Sequence, residues 1–323
     1  MTTGKDLRIV FMGTPDFAVA SLKKLVDEGY NIVGVITAPD RPAGRGKRLS
    51  ESAVKKYALE QQLNVLQPEK LKNPDFLAEL KALNADLQIV VAFRMLPEVV
   101  WAMPRLGTFN LHGSLLPQYR GAAPLNWAIM NGESQTGVTT FLLDHEIDTG
   151  KILFKKEIDI WENDTVGSIH DSLMEIGADL VVKTVEALAT GEYTPVPQEA
   201  LAAENEIKHA PKIFKEDCKI DWSRDVEEVR NQIRGLSPYP AAWSTLVNQS
   251  NGKQTSAKVF FALHAEGKSA VPGTIESDGK NYLKVACGNG WLQITDLQLS
   301  GKKRLKTNEF LRGFQHIDAF RFE

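Results

Sequence analysis

Cysteine is nearly absent. Cys218 and Cys287 are the only two in 323 residues. Two cysteines make neither a disulfide framework nor a zinc site, and they suit a reducing cytoplasm. Long apolar runs are missing as well, and none approaches the ~20 residues that a membrane span needs. The opening MTTGKDLRIVFMG enters a strand at once, with none of the charged-then-apolar layout of a secretory leader. The expectation is a cytoplasmic protein without membrane contact. A net charge of −3 excludes a polycation. There is no internal repeat and no low-complexity tract. Dinucleotide and mononucleotide fingerprints are also lacking. The first Gly-rich turn, MGTPDF, holds Gly13 alone beside Pro15 where G-x-G-x-x-G would be needed, and no Walker A pattern occurs. That turn reads as a tight strand-to-helix corner with Asp16 in the first helical turn.

What is present is ordinary globular composition, 43% hydrophobic and 24% charged, with length for about two domains. LRIVFMG (7–13), a helix stopped by Gly29, and NIVGVIT (31–37) make a βαβ unit, so the sheet is expected to be mostly parallel. Strands at 63–68, 85–93, 137–144 and 151–160 continue it, with helices over 50–62 and 74–84. Residues 165–191 read as one long amphipathic helix. Beyond it, 192–213 has three prolines and little periodicity and reads as a linker. After a short helix (225–236), β-like runs recur about every ten residues between Gly, Asn and Asp, as in a small antiparallel barrel or sandwich. The expected division is therefore 1–191, a linker at 192–213, and 214–323. Charge follows it loosely. Residues 206–323 hold 18 Lys/Arg against 14 Asp/Glu, while 1–205 hold 20 against 27.

Two places concentrate chemistry. TAPDRPAGRGKRLSESAVKK (37–56) sets Arg41, Arg45, Lys47, Arg48, Lys55 and Lys56 against only Asp40 and Glu51. Its two glycines and two prolines argue against regular structure in the front half. Such a segment suits phosphate contacts, or is simply a solvated loop. The second place is FNLHGSLLPQYRGAAPLNW (109–127). Asn110 and His112 lie two apart at a strand end, which puts both on one face, about 6–7 Å apart along the backbone. The carboxyl ends of parallel strands are where ligands bind. Asp148, in the turn DHEIDTGKI (144–152), is placed to face the same crevice. An amide can donate to a developing oxyanion, an imidazole can relay a proton, and a carboxylate can hold the imidazole. The plainer alternative is that the two side chains satisfy loop backbone. Asp144, His145 and Glu146 read as a polar turn. His170 lies on the long helix and reads as packing, and Cys287 has no partner that would make it a nucleophile.

NLHGSLLPQYRGAAPLNWAIMNGE with TGVTTFLLDHEIDTGKIL resembles the signature of the folate-dependent formyltransferases. IVFMGTPDFAVASLKKL, DRPAGRGKRL and APKIFKEDCKIDWS extend the likeness over nearly the whole chain. The resemblance implies a Rossmann-like, mostly parallel sheet with helices on both faces, followed by a small OB-like C-terminal β-barrel that helps hold tRNA. It implies transfer of a formyl group from 10-formyltetrahydrofolate to the amino group of methionine on initiator tRNA by a monomer, without metal or NAD. Asn110, His112 and Asp148 match the catalytic set. Ser114, Leu115, Leu116 and Pro117 match a folate-lining segment, and Ala92, Phe93 and Asp144 fall in the same site. Arg41, Arg45, Lys47 and Arg48 match the tRNA-binding loop. One departure stands out: VAFRMLP replaces the family's AYGxILP, one residue shorter and carrying Arg94. Rival readings are a formyltransferase for an amino-sugar nucleotide, a formyltetrahydrofolate hydrolase, and a non-catalytic RNA- or folate-binding module. The intact Asn/His/Asp set argues against the last.

Overall fold

The computed structural model describes residues 3–43, 48–202 and 206–323. The chain gathers into two compact units. One comprises Met1–Gly121, Thr136–Ile158 and His170–His209, and the other Ala122–Gln135, Asp159–Ile169 and Ala210–Glu323. In chain order, β1 (Ile9–Gly13), α1 (Asp16–Asp27) and β2 (Ile32–Ile36) are followed by the short strands β3 (Arg41–Ala43) and β4 (Arg48–Ser50). Then come α2 (Ala53–Glu60), β5 (Val65–Leu66), α3 (Pro74–Ala82), β6 (Leu87–Val91), α4 (Glu98–Trp101) and β7 (Thr108–His112). β8 (Arg120–Gly121) and α5 (Pro124–Met130) lead into β9 (Gln135–Leu142), β10 (Ile152–Asp159), α6 (Val166–Thr190) and α7 (Glu199–Ala202).

The first unit is built on a seven-stranded sheet in the order β10-β9-β7-β6-β1-β2-β5. β5, β2, β1, β6 and β7 run parallel, and β9 lies antiparallel on β7. The mostly parallel sheet is as expected. Its central strands IVFMG and LQIVV are buried at every residue, as strands covered on both faces must be. In α1 the buried residues Phe17, Ala18, Ser21, Leu22 and Leu25 recur at helical spacing. Gly13 explains the corner between them. A Cβ there would lie 2.6 Å from the Ala18 Cβ, so only glycine lets the helix start so close to the strand.

Two local expectations are corrected. Residues 41–43 and 48–50 do carry regular structure: Arg41↔Ser50, Pro42↔Leu49 and Ala43↔Arg48 pair antiparallel. A two-strand ribbon has only edges, and an edge tolerates a proline that cannot donate. α5 has no counterpart among the expected helices. Pro124 stands in its first turn, a position that needs no donor N–H.

The second unit continues with β11 (His209–Ala210), α8 (Val226–Gly235), β12 (Ala242–Asn248), β13 (Gln254–Ala265), β14 (Ile275–Ser277), β15 (Leu283–Ala286), β16 (Trp291–Leu299), β17 (Leu305–Lys306), α9 (Thr307–Gly313) and β18 (Phe320–Phe322). Its sheet runs β14-β15-β16-β13-β12-β18, with β17 on β16. Phe322 N donates to Gly273 O at 2.9 Å, and a Thr274–Arg321 bridge joins the two ends into a nearly closed barrel. Closure removes the exposed edges of an open sheet. Asp225 caps α8 by accepting from Glu227 N at 2.8 Å, and Val229, Ile233 and Leu236 seat the helix on the barrel core with Trp222. Among the described residues no helix is long and apolar enough to cross a membrane.

Candidate active site

The carboxyl end of β7 places Asn110 and His112 on one face, with Leu111 on the other. Phe141 of β9 lies opposite Asn110, and Thr139 opposite His112. His112 is 6% exposed. Its Nε2 lies 3.0 Å from Tyr119 O. A carbonyl only accepts, so Nε2 carries the proton and Nδ1 keeps its lone pair. Phe141 meets the imidazole edge-on, with ring centroids 6.4 Å apart. The ring is thereby held with Nδ1 turned to Asp148, whose Oδ2 is 3.9 Å away. That is too long for a direct hydrogen bond but close enough to stabilise a charge formed at Nδ1.

Asp148 sits at φ 56°, in the left-handed region that aspartate tolerates better than most residues. Its Oδ2 accepts from Gly121 N at 2.9 Å. The turn behind it needs Gly150, where a Cβ would lie 1.6 Å from Leu142 O. Asp144 stabilises the same turn by accepting from Thr149 Oγ1 at 2.8 Å and Glu146 N at 3.1 Å. Asn110 differs from both. Its Oδ1 is buried with no hydrogen-bond partner. Buried polar atoms are almost always satisfied, so an open valence beside an oriented imidazole is a mark of a ligand-taking site. The open atom is an acceptor, so Asn110 Oδ1 can take a ligand N–H or O–H while His112 Nδ1 accepts a proton beside it.

The other expected residues divide. Ser114 Oγ donates to Gln118 O and Ser114 O accepts from Thr139 Oγ1, each at 2.6 Å, so its polar groups hold the loop. Ser114, Leu116 and Pro117 are buried, and Leu115 alone of the four keeps surface. Ala92 is exposed at φ 47°, and Phe93 packs on the cluster around Val10, Met12 and Val90. Arg94 turns away from solvent. Its Nη1 donates to Glu69 O at 2.8 Å and its Nη2 to Pro68 O, tying the loop after β6 to the loop after β5. Burial and the charge of Arg41 lower its pKa from the ordinary arginine value.

In the basic segment, Arg41 is exposed on β3 and Arg48 lies on β4, whereas Arg45 and Lys47 lie outside the described residues. Lys55 is taken up by Asp40 and by Glu51 at 2.9 Å. His170 packs its ring 5.2 Å from Phe17. Burial pushes the Cys287 thiol up to about 12, which leaves no thiolate at neutral pH. Among the described residues no group of three or more His, Cys, Asp or Glu side chains could hold a metal ion. Sequence reasoning misses Thr139, which pins the 114–116 loop by accepting from Leu116 N at 3.2 Å, and Gln198, whose amide bonds to the Asp148 backbone. A threonine inside an apolar strand run gives the only signal for the first.

Residues 7–185 match the formyl transferase family and residues 212–315 its C-terminal domain. The chain belongs to the formyl transferase family. Similar curated relatives of this formyl transferase include the methionyl-tRNA formyltransferase of Bacteroides fragilis, 57% identical over 99% of this chain and 98% of that one. The enzyme of the same name from Bacteroides thetaiotaomicron is 57% identical over 98% of each chain. Among solved structures, HypX from Aquifex aeolicus in complex with tetrahydrofolic acid shares the fold, with TM-score 0.63 at 22% identity. That match covers 94% of this formyl transferase and 47% of the HypX chain, so the chain spans about half of HypX.

Proposed function

We propose that this formyl transferase moves the formyl group of 10-formyltetrahydrofolate to the free α-amino group of methionyl initiator tRNA, in the cytoplasm. The likeness to methionyl-tRNA formyltransferases over both family domains supports the choice of acceptor. The chemistry rests on one observation: Asn110 shares the strand end and face of a His112 whose Nδ1 is free and faces Asp148.

The formylfolate supplies the formyl carbon and the N10 leaving group. Around it, the chain's residues do the following. The Asn110 amide donates to the formyl oxygen as negative charge grows there. His112 Nδ1 takes the proton that the attacking amine must lose, and returns one toward the leaving nitrogen. Asp148 stabilises the imidazolium between those events. The transfer is redox-neutral, so it needs no nicotinamide. In this reading the first unit carries the chemistry, and residues 214–323 with the 41–48 segment hold tRNA.

The test is turnover with 10-formyltetrahydrofolate and three acceptors: charged initiator tRNA, an amino-sugar nucleotide, and water alone. Formyl-methionyl-tRNA is the expected product. Formylation of the sugar nucleotide in its place, or formate release without acceptor, would refute the reading.

A further inference from the structure

The segment that leaves α6 reaches back into the site. Val196 exchanges two backbone hydrogen bonds with Ile152, both 2.9 Å, and its side chain packs against Leu116, Phe141 and Ile152. Two residues on, Gln198 has no exposed surface. Its Nε2 donates to Asp148 O and to Gly150 O, each at 2.8 Å. Its Oε1 accepts from Arg120 Nε at 3.0 Å and from Arg120 Nη2 at 2.8 Å. The orientation of this amide is fixed by chemistry, since carbonyls only accept and a guanidinium only donates.

Gln198 therefore grips both sides of the contact that sets Asp148. On one side it holds the Asp148 backbone, whose left-handed conformation persists only where neighbours enforce it. On the other it holds Arg120, the residue before the Gly121 N–H that anchors the Asp148 carboxylate. We propose that Gln198 is a positioning residue for formyl transfer: it keeps the Asp148 carboxylate facing His112 Nδ1. The proposal rests on the roles given above to His112 and Asp148.

The test is steady-state kinetics of the full chain. Gln198→Glu keeps the size of the side chain and its acceptor for Arg120, but turns a carboxylate oxygen onto the carbonyls of Asp148 and Gly150. Misplacing a charge by an ångström costs about tenfold to hundredfold in kcat, and that loss is expected. KM for each substrate should stay within about twofold, because the hydrogen bonds of Gln198 run to the protein's own backbone and Arg120, not to a substrate. On an Asp148→Asn background the substitution should cost nothing further, since Asp148 is its only route to the reaction. If Gln198→Glu does not fold, Gln198→Met, which matches the volume without any hydrogen bond, carries the same comparison. Unchanged kcat, or a loss that adds in full to that of Asp148→Asn, overturns the positioning role. An Asp148→Asn enzyme with full kcat overturns the reading of the site itself, and the role of Gln198 with it.

Discussion

Two aspartates show how differently the two units use a carboxylate. Asp296, in the barrel, has a side chain only 5% exposed. Arg304 grips it with two hydrogen bonds, Nε to Oδ1 at 2.8 Å and Nη2 to Oδ2 at 2.6 Å, and Lys306 adds a third at 3.2 Å. Its acceptor capacity is met by cations, and its backbone lies within strand β16. Asp148, in the first unit, has a 14% exposed side chain on a left-handed residue, one backbone donor, and an imidazole at 3.9 Å. A saturated carboxylate can only stabilise. One held by its backbone, with capacity left over, can answer a charge that appears during a reaction.

The largest effect that would sharpen this contrast is at Asn110. If its amide meets the formyl oxygen, Asn110→Ala lowers kcat by about 10²–10³-fold while KM moves little. A variant that raises KM at constant kcat would make Asn110 a binding residue. Next comes Asp148→Asn. Asparagine tolerates the left-handed region and can still accept from Gly121 N, so the fold should hold while the negative charge is lost. The expected loss in kcat is about tenfold to hundredfold, within the range of proton-transfer groups, with an unchanged melting temperature.

Asp296→Asn should do the reverse. Removing the charge of Asp296 weakens its hydrogen bonds to Arg304 and Lys306, whose own charges stay solvated, at a cost of roughly 1–2 kcal/mol in unfolding free energy, with kcat unchanged at temperatures well below the melting range. The pH dependence has a definite sign. Burial raises the Asp296 carboxyl, but the bonds from Arg304 and Lys306 outweigh it, and the net shift is below 3.8. A carboxyl lowered in the folded state adds stability above its unfolded pKa and loses it as pH falls through the folded one. Thermal melts between about pH 5 and 3 should therefore fall more steeply in the parent chain than in Asp296→Asn. Equal slopes would remove the distinction between the two aspartates.

How much of this is legible in the sequence follows from the range of the interactions. The strand ends, the i, i+2 pair Asn110/His112 and the buried strands of the parallel sheet are local patterns, and the sequence carries them directly. The tautomer of His112 is set by Tyr119 O, a contact through a loop whose conformation no periodicity encodes. Gln198 lies in a stretch that reads as linker because it has no period, yet it is fully buried by partners 48 to 78 residues away. Charge misleads in the other direction. GKKRLK (301–306) is dense in positive charge, but Arg304 and Lys306 are engaged by Asp296, and Lys55 by Asp40 and Glu51. Composition counts cations, while the fold decides which of them still have a charge to offer.

That last point makes the smallest prediction the most discriminating one for the basic segment. Arg41 is exposed, and among the described residues no carboxylate pairs with it, while Lys55 is held by two. If free cations of this segment grip the phosphates of tRNA, Arg41→Ala and Arg45→Ala should each raise KM for tRNA a few-fold at moderate salt. Each should also flatten the dependence of log KM on log salt by roughly one unit, since one fewer counterion is released on binding. Neither should change KM for the folate. Lys55→Ala removes a cation of equal formal charge from the same stretch, but one already neutralised within the protein, so its salt slope should match the parent. If all three variants flatten the slope alike, only net charge matters, and the distinction between engaged and available groups fails outside the active site. If only the two arginines do, the distinction drawn at Asp148 and Asp296 applies to cations as well.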